Sequence, residues 1–460
     1  MKLDDTLWNP QMETLPRQAL RELQWQKLQG QLAYNYARSP FYRRKLDEVG
    51  LPPEKIRSWE EFRQIPPMDK HEQRRAQEES LERFGHPYGM LACAPIESFV
   101  LLSCTSGTTG APTLYTLTMK DMQVLYELQA RKFRRVGLEP GDRVLHAFSL
   151  SMFTAGIPWV VTLQQYGACV VPVGAEAGSR RVLEFGQFVK PRALTCTPSF
   201  AEHLIEKAPE IIGQPIRELG IELVICAGEP GVGLPEIRRR IEEAYGARLY
   251  DAIGAAHTFH GISCVMPEYQ GMHFLSEDFC VLELRDPETG EFLELEDGVT
   301  GEMVFTELDW EGTPLLRYAI GDILQVFLSP CRCGRPGLRF KILGRSDDML
   351  IVKGVNVYPA AIRNVVVSFH PRATGEMRIL LSERGPRVTP PLRLVVEHAT
   401  SLGAEEVVGL RTSLEELMHE RLKVRPSVEM VPAGTLQRTT HKAKLIEMRP
   451  ERDAAASPAS

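Results

Sequence analysis

The chain lacks several features that would take it out of the ordinary globular proteins. Its opening residues, MKLDDTLWNPQME, hold no apolar run, so it reads as having no secretory leader. It lacks a surplus of positive charge: 54 Lys and Arg against 60 Asp and Glu leave a net charge of −6. No nucleic-acid and no membrane partner is expected, since a phosphate-rich surface needs a basic face. It also lacks an unbroken hydrophobic span. Phe148–Val173 carries no charge, but Gly156, Pro158, Gln164, Gln165 and Gly167 interrupt it, so it reads as strand and helix beside a pocket. No internal repeat is present. The nine cysteines show no disulfide-like spacing, which implies a reducing, cytoplasmic setting.

What is present is a long α/β pattern. Helices of mixed charge occupy residues 13–50, followed by the proline-punctuated GLPPEKIRSWEEFRQIPPMDK. From about residue 97 to 305, short β-rich runs alternate with helical stretches. The runs are Phe99–Leu102, Arg143–Phe148, Cys169–Val173 and Leu223–Ala227, and Pro235–Tyr245 reads as a helix. Such alternation predicts a largely buried sheet in a large N-terminal α/β domain. After the turn-rich stretch 328–354 comes a compact α+β unit. It has helices near Ala360–Phe369 and Gly403–Leu422, and strands near Met377–Leu381 and Pro391–Glu397. The polar, glycine-flanked GRSDD reads as a hinge, dividing the chain into domains 1–346 and 347–460.

Several motifs carry chemistry. LLSCTSGTTGAPTLYTLT follows an apolar run and offers backbone N–H groups and hydroxyls to an anion. Alone, such a cluster is commonly just a polar turn. Further on, TPLLRYAIGDI presents Arg317 and Asp322 beside a turn, where a carboxylate can accept both hydroxyls of a ribose. GRSDD adds Arg345, and LQRTTHKAKLI puts Lys442 in a segment able to swing. Cys331 and Cys333 form a Cys-x-Cys turn between Pro330 and Gly334, and Cys264-x8-His273 could supply two more metal ligands. Spacing alone leaves buried thiols and a zinc site both open. Cys104, His146, His260 and His441 read as structural residues. Phe153, Trp159 and Phe259 read either as core or as walls of an acid pocket.

The ordered series resembles the adenylate-forming ligases, specifically the phenylacetate–CoA ligase branch. It runs through SPFYRRKLDEVG, IPPMDK, TSGTTGAPT, FTAGIP, CTPSF, AGEP, RYAIGD, CRCGR, GRSDDMLIVKGVNVYP and HKAK, covering almost the whole chain. The resemblance implies ATP-dependent activation of an aromatic carboxylic acid to an acyl-adenylate, then transfer to CoA. It implies that Ser106, Gly107, Thr108, Thr109 and Gly110 cradle the phosphates. Gly228, Glu229, Pro230 and Asp251 would border the adenine, and Asp322 with Arg345 would hold the ribose. Lys442 would serve adenylation, Asp347 the hinge, and Gly354 the thiol entry. Cofactors would be ATP, Mg2+, CoA and a structural zinc on Cys264, His273, Cys331 and Cys333. A homodimer is left open.

Two departures stand out. Ala111 occupies the place of the family loop's usual lysine, so one phosphate contact is missing. In DAIGAAHT, Ile253, Ala256 and His257 replace the usual Tyr, Ser or Thr, and Glu. That Glu commonly supports Mg2+ and imidazole is a poor substitute, so His257 is expected to raise the Mg2+ requirement or to shift the metal's role elsewhere, with Glu229 or Glu277 as indirect substitutes. Two alternatives therefore accompany the main reading. One is transfer to a carrier-protein thiol. The other is a degenerate homologue that binds an acid or nucleotide without turnover.

Overall fold

The computed structural model describes residues 7–104, 112–266, 268–353, 355–383, 385–436 and 445–449. A thirteen-stranded sheet organises the first three-quarters of the chain. Five of its strands run parallel, in the spatial order Cys169–Pro172, Arg143–His146, Ala193–Cys196, Leu223–Cys226, Arg248–Ala255. The runs ALTC and LVIC are buried at every position, as expected of parallel strands covered on both faces. Beyond Arg248–Ala255 the sheet turns antiparallel, through Phe259–Ser263, Met272–Phe274, Arg339–Arg345, Tyr318–Phe327, Thr300–Glu307 and Cys280–Arg285.

Local sequence explains the covering helices. Met119–Val136 starts in a capping box of Thr118 with Asp121 and stops at Gly137, which adopts a left-handed conformation. Pro235–Tyr245 begins with proline at its first position and ends at left-handed Gly246. The uncharged stretch Phe148–Val173 resolves into the helix Ile157–Tyr166 and the strand Cys169–Pro172. No helix among the described residues is long and apolar enough to cross a membrane.

After Arg345 the chain builds a smaller α+β unit with its own core around Ile379, Leu394 and Leu414. A four-stranded sheet containing Ala373–Leu381 and Leu392–His398 carries the helices Pro359–Val367 and Ala404–Leu422. Val367 packs into the core of the large domain, and Arg363 donates to the Pro230 carbonyl at 3.3 Å. Phe200, Arg240, Arg363 and His370 are among the residues lining a cavity of about 50 Å³ at this junction.

Candidate active site and metal centre

The parallel strands fix where a ligand crevice must lie. From Arg143–His146 the chain crosses to Cys169–Pro172 on one side, then returns to Ala193–Cys196 on the other. The carboxyl ends of Arg143–His146 and Ala193–Cys196 therefore flank a topological switch point, where loops diverge and open α/β sheets bind ligands. The loop 147–156 leaves one strand there and Thr197–Ser199 leaves the other. Gly156 is required for the first loop to fold back: a Cβ there would lie 2.5 Å from the Ser149 carbonyl oxygen.

Three of the expected adenine-side residues stand on the adjoining strand ends. Gly228, at φ +91°, follows Leu223–Cys226, and Glu229 Oε1 accepts the Ser199 N–H at 2.8 Å. Asp251 sits on Arg248–Ala255 level with Cys226. The Tyr269 hydroxyl donates to its Oδ2 at 2.6 Å, yet burial pushes the carboxyl up to about 6. Tyr269 carried no sequence signal. The strand Leu101–Cys104, which leads into the glycine-rich loop, reaches this mouth because the Cys104 N–H donates to the Met152 carbonyl at 2.9 Å. Ser106, Gly107, Thr108, Thr109, Gly110 and Ala111 lie outside the described residues, as do Gly354 and Lys442.

Asp322 and Arg345 are cross-strand partners, with Arg345 Nη1 2.7 Å from Asp322 Oδ1. Arg345 Nε also donates to Asp347 at 2.8 Å, and Asp347 pairs with Lys70. Burial opposes ionisation of Asp347, but hydrogen bonds and charge from Arg345 and Lys70 hold its carboxyl below the ordinary value. Lys70, the last residue of IPPMDK, was not assigned a role from sequence. Arg317 is placed differently from its motif partner. It is fully buried, paired to Glu283 at 2.9 Å, and donates to the carbonyls of Arg63 and Ile65.

The four metal-ligand candidates converge. One ligand atom from each of Cys264, His273, Cys331 and Cys333 lies within 4.8 Å of all the others. Cys264 Sγ is 3.7 Å from Cys331 Sγ, and Cys333 Sγ is 3.3 Å from His273 Nε2. Tetrahedral zinc with metal–sulfur bonds of about 2.3 Å sets sulfurs about 3.8 Å apart, so the spacing fits that ion. The hydrogen bond between Cys264 and Cys333 lowers the Cys264 thiol and raises the Cys333 thiol, and burial lowers His273; thiolate and neutral imidazole are the ligating forms.

Magnesium at His257 is a different matter. Mg2+ takes oxygen ligands. His257 is buried, its Nε2 hydrogen-bonds Ser103 Oγ, and its ring stacks 6.5 Å from Trp310 and meets Tyr115 edge-on. Burial drives its pKa down to about 3. The position does not fit a magnesium ion, in keeping with imidazole being a poor substitute for the usual carboxylate. Of the two indirect substitutes, Glu277 pairs with Arg17, and Glu229 Oε1 accepts the Ser199 N–H.

A doubly wound sheet with this crevice, joined through an Arg–Asp turn to a small α+β domain, defines the class of adenylate-forming enzymes. The chain belongs to the AMP-binding enzyme family: residues 54–307 match that family, and residues 354–449 match the AMP-binding enzyme C-terminal domain. It is 34% identical to the phenylacetate-coenzyme A ligase of Thermus thermophilus over 94% of this chain and 97% of that protein. It is 31% identical to the enzyme of the same name from Pseudomonas putida over 96% of each. Among solved structures, it resembles 2-hydroxyisobutyryl-CoA ligase in the postadenylation state, in complex with 2-HIB-AMP. That match has a TM-score of 0.88 at 29% identity and covers 99% of this chain and 95% of that one. Against the same ligase in its thioesterification state, covering the same shares of both chains, the TM-score is 0.69. The chain as a whole therefore superposes better on the postadenylation structure of that ligase than on its thioesterification structure.

Proposed function

We propose that this protein is an AMP-forming acid–CoA ligase that activates an aromatic, phenylacetate-like acid. The observation that carries this reading is the switch-point crevice, in a chain that superposes on a ligase's acyl-adenylate complex and is similar to such ligases end to end. In the first half-reaction a carboxylate oxygen attacks the α-phosphorus of ATP and pyrophosphate leaves. In the second, the CoA sulfur attacks the acyl carbonyl carbon and AMP leaves. ATP enters as its magnesium complex. The chain would act in the cytoplasm, where ATP and CoA are available.

The site residues take roles within this reading. Ser106, Gly107, Thr108, Thr109 and Gly110 hold the triphosphate without the lysine that Ala111 replaces. Gly228, Glu229, Pro230 and Asp251 border the adenine. Asp322 accepts the ribose hydroxyls, and Arg345, hydrogen-bonded to that carboxylate, helps hold the ribose. Lys442 offsets the charge that grows on the α-phosphate during attack. Rotation about Asp347, between domains 1–346 and 347–460, then withdraws Lys442 and admits the thiol. Cys264, His273, Cys331 and Cys333 hold a zinc ion with no open coordination position, so the metal is structural.

ATP–pyrophosphate exchange across aryl and short alkyl acids tests the activity, and best turnover with a short acid would remove the aromatic assignment. Lys442→Ala tests the mechanism. Adenylation should fall by about two to three decades, while thioester formation from supplied acyl-adenylate stays near wild type. Equal loss in both half-reactions would overturn the role of Lys442, and no exchange by the wild type would overturn the ligase.

A further inference from the structure

We propose that Lys132, His260, His257 and Ser103 form a buried hydrogen-bonded chain that positions the entry to the triphosphate-binding loop. The proposal rests on the ligase reading. The four residues come from four places: the helix Met119–Val136, the strand Phe259–Ser263, the turn at 256–258 and the strand Leu101–Cys104. All four are buried. Lys132 Nζ lies 3.0 Å from His260 Nδ1, and His260 Nε2 lies 2.8 Å from the His257 carbonyl oxygen. His257 Nε2 completes the chain at Ser103 Oγ.

The partners fix the protons. A carbonyl oxygen only accepts, so His260 Nε2 carries hydrogen and its Nδ1 accepts from Lys132. Lys132 donates a second time, to the Ile253 carbonyl at 3.1 Å, and its ammonium lies 4.7 Å from the centre of the Trp159 ring. No carboxylate forms an ion pair with Lys132 among the described residues. Burying a lysine and two imidazoles costs more than packing apolar residues of similar size. The backbone carries a cost as well: Ala256 at φ +48° and His257 at φ +72° are consecutive left-handed residues that are not glycine. Polar burial and backbone strain coincide where one histidine meets Ser103.

Ser103 stands two residues before Thr105, where the loop begins. Its strand belongs to a two-stranded ribbon, Leu101–Cys104 with Leu114–Leu117, outside the large sheet and bridged at Cys104 to Phe153. A two-stranded ribbon is marginal by itself and needs anchorage to hold one position. The Cys104 N–H holds one strand to the Met152 carbonyl and the Leu114 N–H holds the other to Gln77 Oε1 at 2.8 Å; His257 adds a link to each, through Ser103 on one and the Tyr115 ring on the other. The Thr116 N–H adds a bond to Thr313 Oγ1 at 3.1 Å. The histidine thus acts as a positioning residue for ATP, holding the ribbon from which the loop springs.

Ser103→Ala, His257→Phe and His257→Gln separate this role from general support of the fold. Steady-state exchange should show the KM for ATP raised about tenfold in Ser103→Ala and His257→Phe, the scale of one lost buried hydrogen bond. The KM for the acid should move by less than about twofold. His257→Gln, which keeps an N–H near the lost Nε2, should recover most of the effect. The double variant Ser103→Ala/His257→Phe should be no worse than the poorer single, because both break one link. Unchanged KM for ATP in Ser103→Ala overturns the proposal, and so does a parallel rise for both substrates accompanied by a lower Tm. Should His257→Phe fail to fold, Ser103→Ala decides alone. Exchange by the wild type is measured first; if it is absent with every acid, the ligase reading falls and this inference with it.

Discussion

His273 and His257 are both buried imidazoles, 0% and 2% exposed, and burial lowers the proton affinity of each. Their neighbours make them opposites. His273 points Nε2 at a thiol in a cluster of three cysteines, a soft donor set that suits zinc. His257 points Nε2 at a serine hydroxyl between two aromatic rings, and no metal-ligand cluster among the described residues includes it. Residue type therefore decides little about a buried histidine. What its two nitrogens face decides whether it binds a metal or braces a strand.

The largest effect should come from breaking the first of these sites. Purified protein is expected to hold one zinc per chain, and Cys331→Ser should lose it together with about 4 kcal/mol or more of stability. The reason is topological: Cys264 and His273 flank one hairpin, while Cys331 and Cys333 sit on a distant turn. The ion would tie the two together. Metal analysis and denaturant melts of the wild type and Cys331→Ser check this, and an unchanged melt without zinc would end the zinc assignment.

The second site should respond in the other direction to a would-be metal ligand. His257→Glu places a carboxylate among Tyr115, Trp310 and Ser103, with no cation in contact among the described residues, at a cost of about 3 kcal/mol. It should leave the Mg2+ concentration for half-maximal adenylation unchanged. A lower Mg2+ requirement in this variant would put the metal at residue 257 after all and erase the contrast with His273.

Acid sharpens the comparison by smaller steps. In the folded chain burial holds His257 near about 3 and His146 near about 4, whereas an unfolded histidine titrates near about 6.5. Below pH 6.5 the unfolded chain binds protons that the folded chain refuses. Each group thus contributes stability that is fully present above the unfolded pKa and is lost as pH falls toward the folded one. The loss is about 1.4 kcal/mol per pH unit per group, or about 2 kcal/mol between pH 6.5 and 5. Urea melts of His257→Phe over that range should show a slope smaller by one proton. A slope equal to wild type would mean that His257 is not held neutral.

The legible parts of this molecule are those whose signals are local. Pro235–Tyr245 begins at its proline and ends before its glycine, and Leu223–Cys226 is visible as a short apolar run. Cys331 and Cys333 are readable because a tight turn presents both thiols. Asp322 and Arg345 emerged from separate motifs and are joined as cross-strand neighbours. The switch point was not readable, because strand order is decided by packing and not by the order of runs along the chain. Arg317 misled for a related reason: its partner Glu283 lies on another strand and buries it. The setting of His257 was not readable, because left-handed backbone at a non-glycine pair leaves no mark in the sequence. Position 257 can be aligned with a family ligand while its side chain turns into the core.

Arg332 supplies the smallest and most selective test of the zinc side of the comparison. It lies between Cys331 and Cys333, so any account in which charge holds that turn must pass through it. Its ion pair with Glu268, at 3.1 Å, is solvent-exposed on both sides, 67% and 69%. An exposed pair gains little Coulomb energy in water and loses side-chain freedom, so the net is near zero. Arg332→Ala should therefore shift stability by less than about 0.5 kcal/mol and leave zinc content at one per chain. Thiols flanking a silent arginine would assign the turn's stability to the metal. A melt depressed as far as that of Cys331→Ser would instead assign it to the ion pair, and the cluster of sulfurs would be a packing feature.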